Sequence, residues 1–260
     1  MGFSIFAASI RTLRNMTTME KINKVDILAV GAHPDDVELS ISGTLSVQKN
    51  KGYSFGILDL TQGELGTRGT PEIRLSEAED AARILGASFR VNLGFRDGLF
   101  SGTESEKMEI VKVIRAARPE ILIANATTDR HPDHGRAAKL VEEAWFLAGL
   151  RTIETHIDGN VQERWRPRVL YHYIQDYIVT PDVVVDISST FDLKMKSIRA
   201  FRSQFYDPES TELDSPLTNK DFFDQIEGRA RSLGRQIGVE YGEGLTSPRY
   251  IGIRDLFELV

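Results

Sequence analysis

From Val25 onward the chain alternates short apolar runs with longer amphipathic ones. VDILAVGA (25–32) is apolar and rich in β-branched residues, which predicts a strand, and the stretch from Val37 to Lys51, closed by Gly52, predicts a helix. SFGILDLT (54–61) predicts a second strand, ended by the glycine-bearing loop TQGELGTRGT. In PEIRLSEAEDAARILGA, Pro71 stands near a helix start, Ile73, Ala78, Ala81, Ala82 and Leu85 fall on roughly one face, and Gly86 is the stop. FRVNLGF (89–95) predicts a third strand and Glu104 to Arg118 a third helix. EILIANAT (120–127) predicts a fourth strand, so continuously apolar that both faces must be covered, and a helix from about His134 to Leu150 follows it.

Strands alternating with helices of about 10–15 residues indicate βαβ units with right-handed crossovers. The expected fold class is α/β: a Rossmann-like, mostly parallel sheet flanked by helices in a single domain. The second half is less regular. RVLYHYIQ (168–175) and VVVDIS (183–188) predict strands, helices are expected near 190–206 and 219–238, and YDPESTELDSPLTN (206–219) reads as a long surface loop. Residues 1–23 carry an apolar patch and two arginines without the layout of a signal peptide, so they read as an N-terminal extension to a domain spanning 24–260.

Composition changes the picture in three ways. No run approaches the ~20 apolar residues that cross a bilayer, so no membrane partner and a cytoplasmic location are expected. A net charge of −6 with scattered basic residues disfavours nucleic acid. The absence of cysteine excludes thiolate chemistry and leaves His, Asp and Glu as the available metal ligands.

Those residue types cluster twice, each time directly after a predicted strand: HPDD (33–36) after the first and DRHPDH (129–134) after the fourth. Ligands of parallel α/β sheets bind outside the carboxyl ends of the strands, so the two clusters are expected to meet. Together they supply His33, Asp35, Asp36, Asp129, His131, Asp133 and His134. Two imidazoles and one carboxylate make a three-ligand zinc shell with the fourth position open for water, the mark of a catalytic site. A spare carboxylate such as Asp35 then takes a proton from water, and His131 stabilises an oxyanion or protonates a leaving nitrogen. Either motif alone reads equally well as an aspartate helix cap, but capping does not explain two of them at separate strand ends. His156 and His172 read as structural, and the glycines of TQGELGTRG match no nucleotide-binding pattern.

AHPDDVE, TQGELGTRGTPEIRLSEA, LGFRDGLF and DRHPDHGRAA resemble the LmbE-like (PIG-L) zinc-dependent N-deacetylases, over about residues 24–250. The later stretches SQFYDPE, SPLTN and IGVEYGEGL are similar to the branch that deacetylates N-acetylglucosaminyl malate in bacillithiol biosynthesis. The resemblance implies zinc held by His33, Asp36 and His134, Asp35 as general base, and His131 as oxyanion stabiliser oriented by Asp133. It also implies Arg74, with Arg130 as a second candidate, as the partner of the substrate's acidic aglycone, a small-molecule amino-sugar substrate, and a homo-oligomer, possibly a hexamer. Planar guanidinium suits a malate dicarboxylate, whereas an ion pair with Glu77 or Glu79 would leave Arg74 merely on the surface. The chain departs from the family's GxGG run with SISGT (40–44).

Overall fold

The computed structural model describes residues 22–209 and 211–259, so nearly all of the expected N-terminal extension lies outside the described residues. The first half follows the alternating pattern. Strand β1 (Ile27–Gly31) leads to α1 (Asp36–Asn50), β2 (Phe55–Thr61) to α2 (Pro71–Leu85), β3 (Phe89–Phe95) to α3 (Glu104–Ala117), and β4 (Ile121–Ala124) to α4 (Pro132–Ala148). After a small hairpin of β5 (His156–Ile157) with β6 (Asn160–Val161) come β7 (Val169–Tyr173), β8 (Val183–Asp186), α5 (Phe191–Ile198), α6 (Phe222–Gln236) and β9 (Gly242–Thr246).

The main sheet has seven strands in the order β3-β2-β1-β4-β7-β9-β8, parallel from β3 to β7. It is covered on both faces. Leu28 and Val30 of β1 pack with Ile110, Ile114, Leu140 and Val141 of α3 and α4, while Ile27 and Ala29 face Val37, Ile41 and Leu45 of α1. This period-two division of one strand's side chains buries apolar surface on both sides of the sheet. Thr70 and Thr103 cap α2 and α3 by accepting from the backbone N–H three residues on, and Gly86 ends α2 in the left-handed region.

Three features differ from the sequence pattern. GEGLT forms β9, which inserts antiparallel between β7 and β8. Its Glu243 points inward, meets Lys194 at 2.8 Å and accepts from the N–H groups of Gly43 and Thr44. The helix expected near 190–206 stops at Ile198, because Glu77 captures both the N–H and the hydroxyl of Ser203 at 2.7 Å while Phe201 and Phe205 turn into the core. On α2, Ile73 faces solvent and Arg74 is buried, so the apolar face expected there ends at Ala78. Among the described residues no helix is long and apolar enough to cross a membrane.

Candidate metal centre

β1 and β4 lie side by side with Ala29 opposite Ile123, and the chain leaves them toward opposite edges of the sheet. This is the switch point where α/β sheets open a crevice. HPDD and DRHPDH therefore converge there, and His33, His131 and His134 present nitrogens within 4.8 Å of one another.

Asp36 lies between two of these rings. Its Oδ1 is 3.2 Å from His134 Nε2 and its Oδ2 is 3.6 Å from His33 Nδ1. Ligand atoms on a tetrahedral zinc with bonds of ~2.0–2.2 Å stand roughly 3.4 Å apart, so the spacing fits. The opposite nitrogen of each ring is backed by carboxylate: His134 Nδ1 by Asp129 at 2.5 Å, and His33 Nε2 by Asp97 at 3.1 Å and Asp133 at 3.4 Å. Carboxylate behind imidazole is the outer arrangement that fixes a metal-binding tautomer. Asp36 is steadied in turn by Asn125 at 2.9 Å and Gln175 at 3.1 Å. The donor set therefore fits a divalent metal on His33, Asp36 and His134.

The charges follow the geometry. Burial alone would lower the His33 and His134 pKa values, but the facing carboxylates reverse this, holding His33 well above its usual value and His134 at about 9. Asp36 is driven up by burial and down, more strongly, by His134 and His33, and ends well below the carboxylate range.

His131 is the third imidazole of this group. The Asp133 backbone N–H donates to its Nδ1 at 3.2 Å, which leaves the proton on Nε2, and burial with the charges of His33 and His134 lowers its pKa. It is a neutral hydrogen-bond donor. Asp133 thus meets His131 through its backbone N–H, while its carboxylate approaches His33, accepts from Gly98 N–H at 2.8 Å and pairs with Arg136. The Asp133 carboxylate acts on His131 through its charge, opposing the lowering of its pKa.

Asp35 is the N-cap of α1 with φ 121°, a strained conformation for a non-glycine residue, and its side chain makes no cap bond. Arg74 holds it: the guanidinium donates to Pro34 O at 2.8 Å and Gly63 O at 3.1 Å, and lies 3.4 Å from Asp35 Oδ2. Gly63 turns at φ 66°, which favours glycine, and a Cβ there would press on that guanidinium and displace it. Burial raises the Asp35 pKa to about 7, with Arg74 opposing and Asp36 reinforcing the shift. Arg74 is thus not a surface ion pair with Glu77 or Glu79: it is buried in the lining of a large cavity, with each terminal nitrogen on a carbonyl and its Nε without a partner. Arg130 sits half-exposed at the rim, paired with Asp176 at 2.7 Å.

The SISGT run is accommodated by packing. Ser42 and Ser46 donate to carbonyls one turn back, at 2.8 Å, and Gly43 closely approaches Ile187 and Glu243. Ser40 turns toward a cavity of about 720 Å³ that also holds Asp35, His131 and His134 in its lining. His172 is structural, its Nδ1 meeting Asn125 O at 2.8 Å, and exposed His156 lies beside Glu154. Sequence reasoning missed Asp97, Asn125 and Gln175, and left Asp129 without a role. Each is a single polar residue at or just beyond a strand end, and that position was the only signal.

The sequence model of the GlcNAc-PI de-N-acetylase (PIG-L) family matches residues 28–145. Diacetylchitobiose deacetylase of Thermococcus kodakarensis is 30% identical over 232 residues, covering 84% of this chain and 81% of that protein. The chain belongs to the PIG-L (LmbE-like) de-N-acetylase family. The deacetylases of this family are metal-dependent hydrolases of acetamide bonds, and this chain shares their α/β domain. 4-oxalmesaconate hydratase of Pseudomonas putida is also similar, at 26% identity over 75% of this chain and 78% of that protein. The crystal structure of the conserved protein TT1542 from Thermus thermophilus superposes with a TM-score of 0.78 at 36% identity, over 89% of this chain and 98% of that one. A probable N-acetyl-alpha-D-glucosaminyl L-malate deacetylase 2 of Bacillus subtilis is 24% identical over 70% of this chain and 84% of its own length.

Proposed function

We propose that this PIG-L enzyme is a zinc-dependent N-deacetylase of an acetylated amino sugar, with N-acetylglucosaminyl L-malate as its specific substrate. The observation that carries the hydrolytic reading is Asp35, a buried carboxylate raised to about 7 that stands beside the imidazole and carboxylate set without joining it. A site that merely bound metal would have no use for it.

His33, Asp36 and His134 would hold the ion, which when bound supplies Lewis acidity and lowers the pKa of water at its open position to about 7. Asp35 takes the proton of the attacking water as its oxygen adds to the acetamide carbon. His131, neutral and protonated on Nε2, donates to the oxygen on which negative charge develops. Asp35 then returns its proton to the nitrogen as the C–N bond breaks, releasing acetate and the free amine.

For the malate group, Arg130 is the better-placed cation. Its pair with Asp176 is half-exposed and weak, so a substrate carboxylate can replace it, whereas Arg74 serves Asp35. The Bacillus relative supports this substrate. The Thermococcus relative favours a second reading, in which an acetylated chitooligosaccharide occupies the same cavity. Acetate release from N-acetylglucosaminyl malate, diacetylchitobiose and N-acetylglucosamine by zinc-loaded enzyme decides between them. Preference for the malate conjugate that falls in Arg130→Ala supports the first reading; preference for diacetylchitobiose replaces it with the second.

A further inference from the structure

Three serines of α1 have the same carbonyl within reach, the one a turn back along the helix. Ser42 and Ser46 each donate to it at 2.8 Å. Ser40 does not. It is only 6% exposed and lies in the lining of the cavity, yet its Oγ has no hydrogen-bond partner among the described residues. A buried hydroxyl left unsatisfied destabilises the fold, so this orientation points to a ligand that completes it. Ser40 also belongs to the SISGT run that departs from the family's glycines, which makes the hydroxyl a feature of this chain rather than of the shared chemistry. It stands one turn, about 6 Å along the helix, beyond Asp36.

The neighbouring cation is incomplete in the same way. Four arginines line the cavity. Arg68 meets Asp214 at 3.4 Å, Arg74 meets Asp35 at 3.4 Å and Arg130 meets Asp176 at 2.7 Å. Arg229, on α6, has no carboxylate at ion-pair distance among the described residues. It donates to the carbonyl of Gln175 and, at 3.4 Å, to that of Leu39, the residue before Ser40. A guanidinium carries five N–H donors, so three remain. Burial disfavours its charge, and Glu243, Asp176 and Asp129 offset this only from beyond contact. Each of those carboxylates already has its own cationic or imidazole partner, in Lys194, Arg130 and His134. A sugar hydroxyl would complete Ser40 but leave Arg229 without a counter-ion. An anionic oxygen group completes both, through charge-assisted hydrogen bonds.

We infer that Ser40 and Arg229 form a carboxylate subsite that sets substrate specificity, taking one carboxylate of the malate group while Arg130 takes the other. The inference rests on the malate conjugate proposed above. Gln175, whose carbonyl Arg229 holds, and Asp176, which pairs with Arg130, are consecutive, so the two guanidiniums flank one short stretch of chain and a short dicarboxylate can meet both. Ser40 and Arg229 contact the substrate's acidic group and not the reacting atoms, so they act on binding rather than on the chemical step.

The test compares N-acetylglucosaminyl L-malate with its malate dimethyl ester, which keeps the shape and loses both charges, as substrates of the zinc-loaded enzyme. At least a tenfold higher kcat/KM is expected for the acid. Ser40→Ala is expected to lower that ratio by about tenfold through KM, while its urea midpoint stays level or rises because no internal hydrogen bond is lost. Arg229→Met lowers the ratio further and Arg229→Lys restores part of it; where Arg229→Met impairs folding, Ser40→Ala carries the test. Binding of glucosaminyl malate, the free amine with no acetamide to cleave, is measured separately by calorimetry beside methyl glucosaminide. Tighter binding of the malate compound that falls about tenfold in Ser40→Ala supports the subsite even if no acetate is released and the deacetylase reading fails. Equal kcat/KM for acid and ester overturns the proposal, as does absence of glucosaminyl malate binding, or binding that folded Ser40→Ala retains in full.

Discussion

The guanidinium of Arg74 bridges three groups around Asp35: it bonds the carbonyl of Pro34 at 2.8 Å and that of Gly63 at 3.1 Å, and lies 3.4 Å from the Asp35 carboxylate. One buried cation thus fixes the strained residue and opposes the rise in its pKa. Arg74→Met is expected to lower kcat by about 10–100-fold with little change in KM, and to move the acid limb of the pH profile upward, since removing a positive charge raises a carboxylate pKa. Arg74→Lys restores part of the activity. A change in KM alone would instead mark Arg74 as a substrate clamp.

In the proposed mechanism Asp35 acts in its ionised form, so activity is expected to fall as pH drops through its pKa of about 7, with a bound cation drawing that limb lower. Asp35→Asn should bind zinc as the parent does, lose turnover by about 10²–10⁴-fold, and lose the acid limb. Kinetics across pH 5–9 with parallel zinc titration check this.

Asp129 spans the site and its rim: one oxygen backs His134 at 2.5 Å while the other accepts from the N–H groups of Asp176 and Tyr177 at 2.9 and 2.8 Å. Asp129→Asn is expected to weaken zinc binding by about 10–100-fold, as loss of such outer partners does. Chelator competition measures it, and unchanged affinity would remove Asp129 from the centre.

The metal-free protein should depend on pH in a defined direction. The folded-state pKa of His134 is about 9, above an unfolded value of 6.5, so its contribution is complete below about pH 6.5 and disappears as pH rises through 9. A loss of about 3 kcal/mol across that window is expected from urea unfolding of the metal-free enzyme, suppressed by saturating zinc. A flat stability profile would contradict the His134 to Asp36 pairing.

Lys194 and Glu243 form a buried pair at 2.8 Å behind α1. Lys194→Met leaves the carboxylate without its cation and should destabilise the fold by about 3–5 kcal/mol, measured by urea midpoint. Tolerance of the change would show that the N–H groups of Gly43 and Thr44 satisfy Glu243 unaided.

The central strands were legible because β1, β2 and β4 are apolar runs, each followed by a helix with readable start and stop residues. The meeting of HPDD and DRHPDH was legible because both motifs fall where such strands must end. GEGLT was not, since two glycines and an inward glutamate hide a strand whose ion-pair partner, Lys194, lies 49 residues away. Gln175 and Asp97 escaped for a related reason: a lone polar residue after a strand gives no pattern, and only the folded sheet places it against Asp36 or His33. The carbonyls that hold Arg74 were not legible, because they come from turns 11 and 40 residues upstream.

The most direct measurement is acetate and free amine released from N-acetylated glucosamine substrates by enzyme stripped of metal, then reconstituted with zinc, beside Asp35→Asn and His134→Ala treated identically. The account predicts equal amounts of both products from reconstituted enzyme, none from stripped enzyme, near-complete loss in Asp35→Asn with zinc retained, and loss of both zinc and turnover in His134→Ala. Full activity without metal, or in Asp35→Asn, would contradict it.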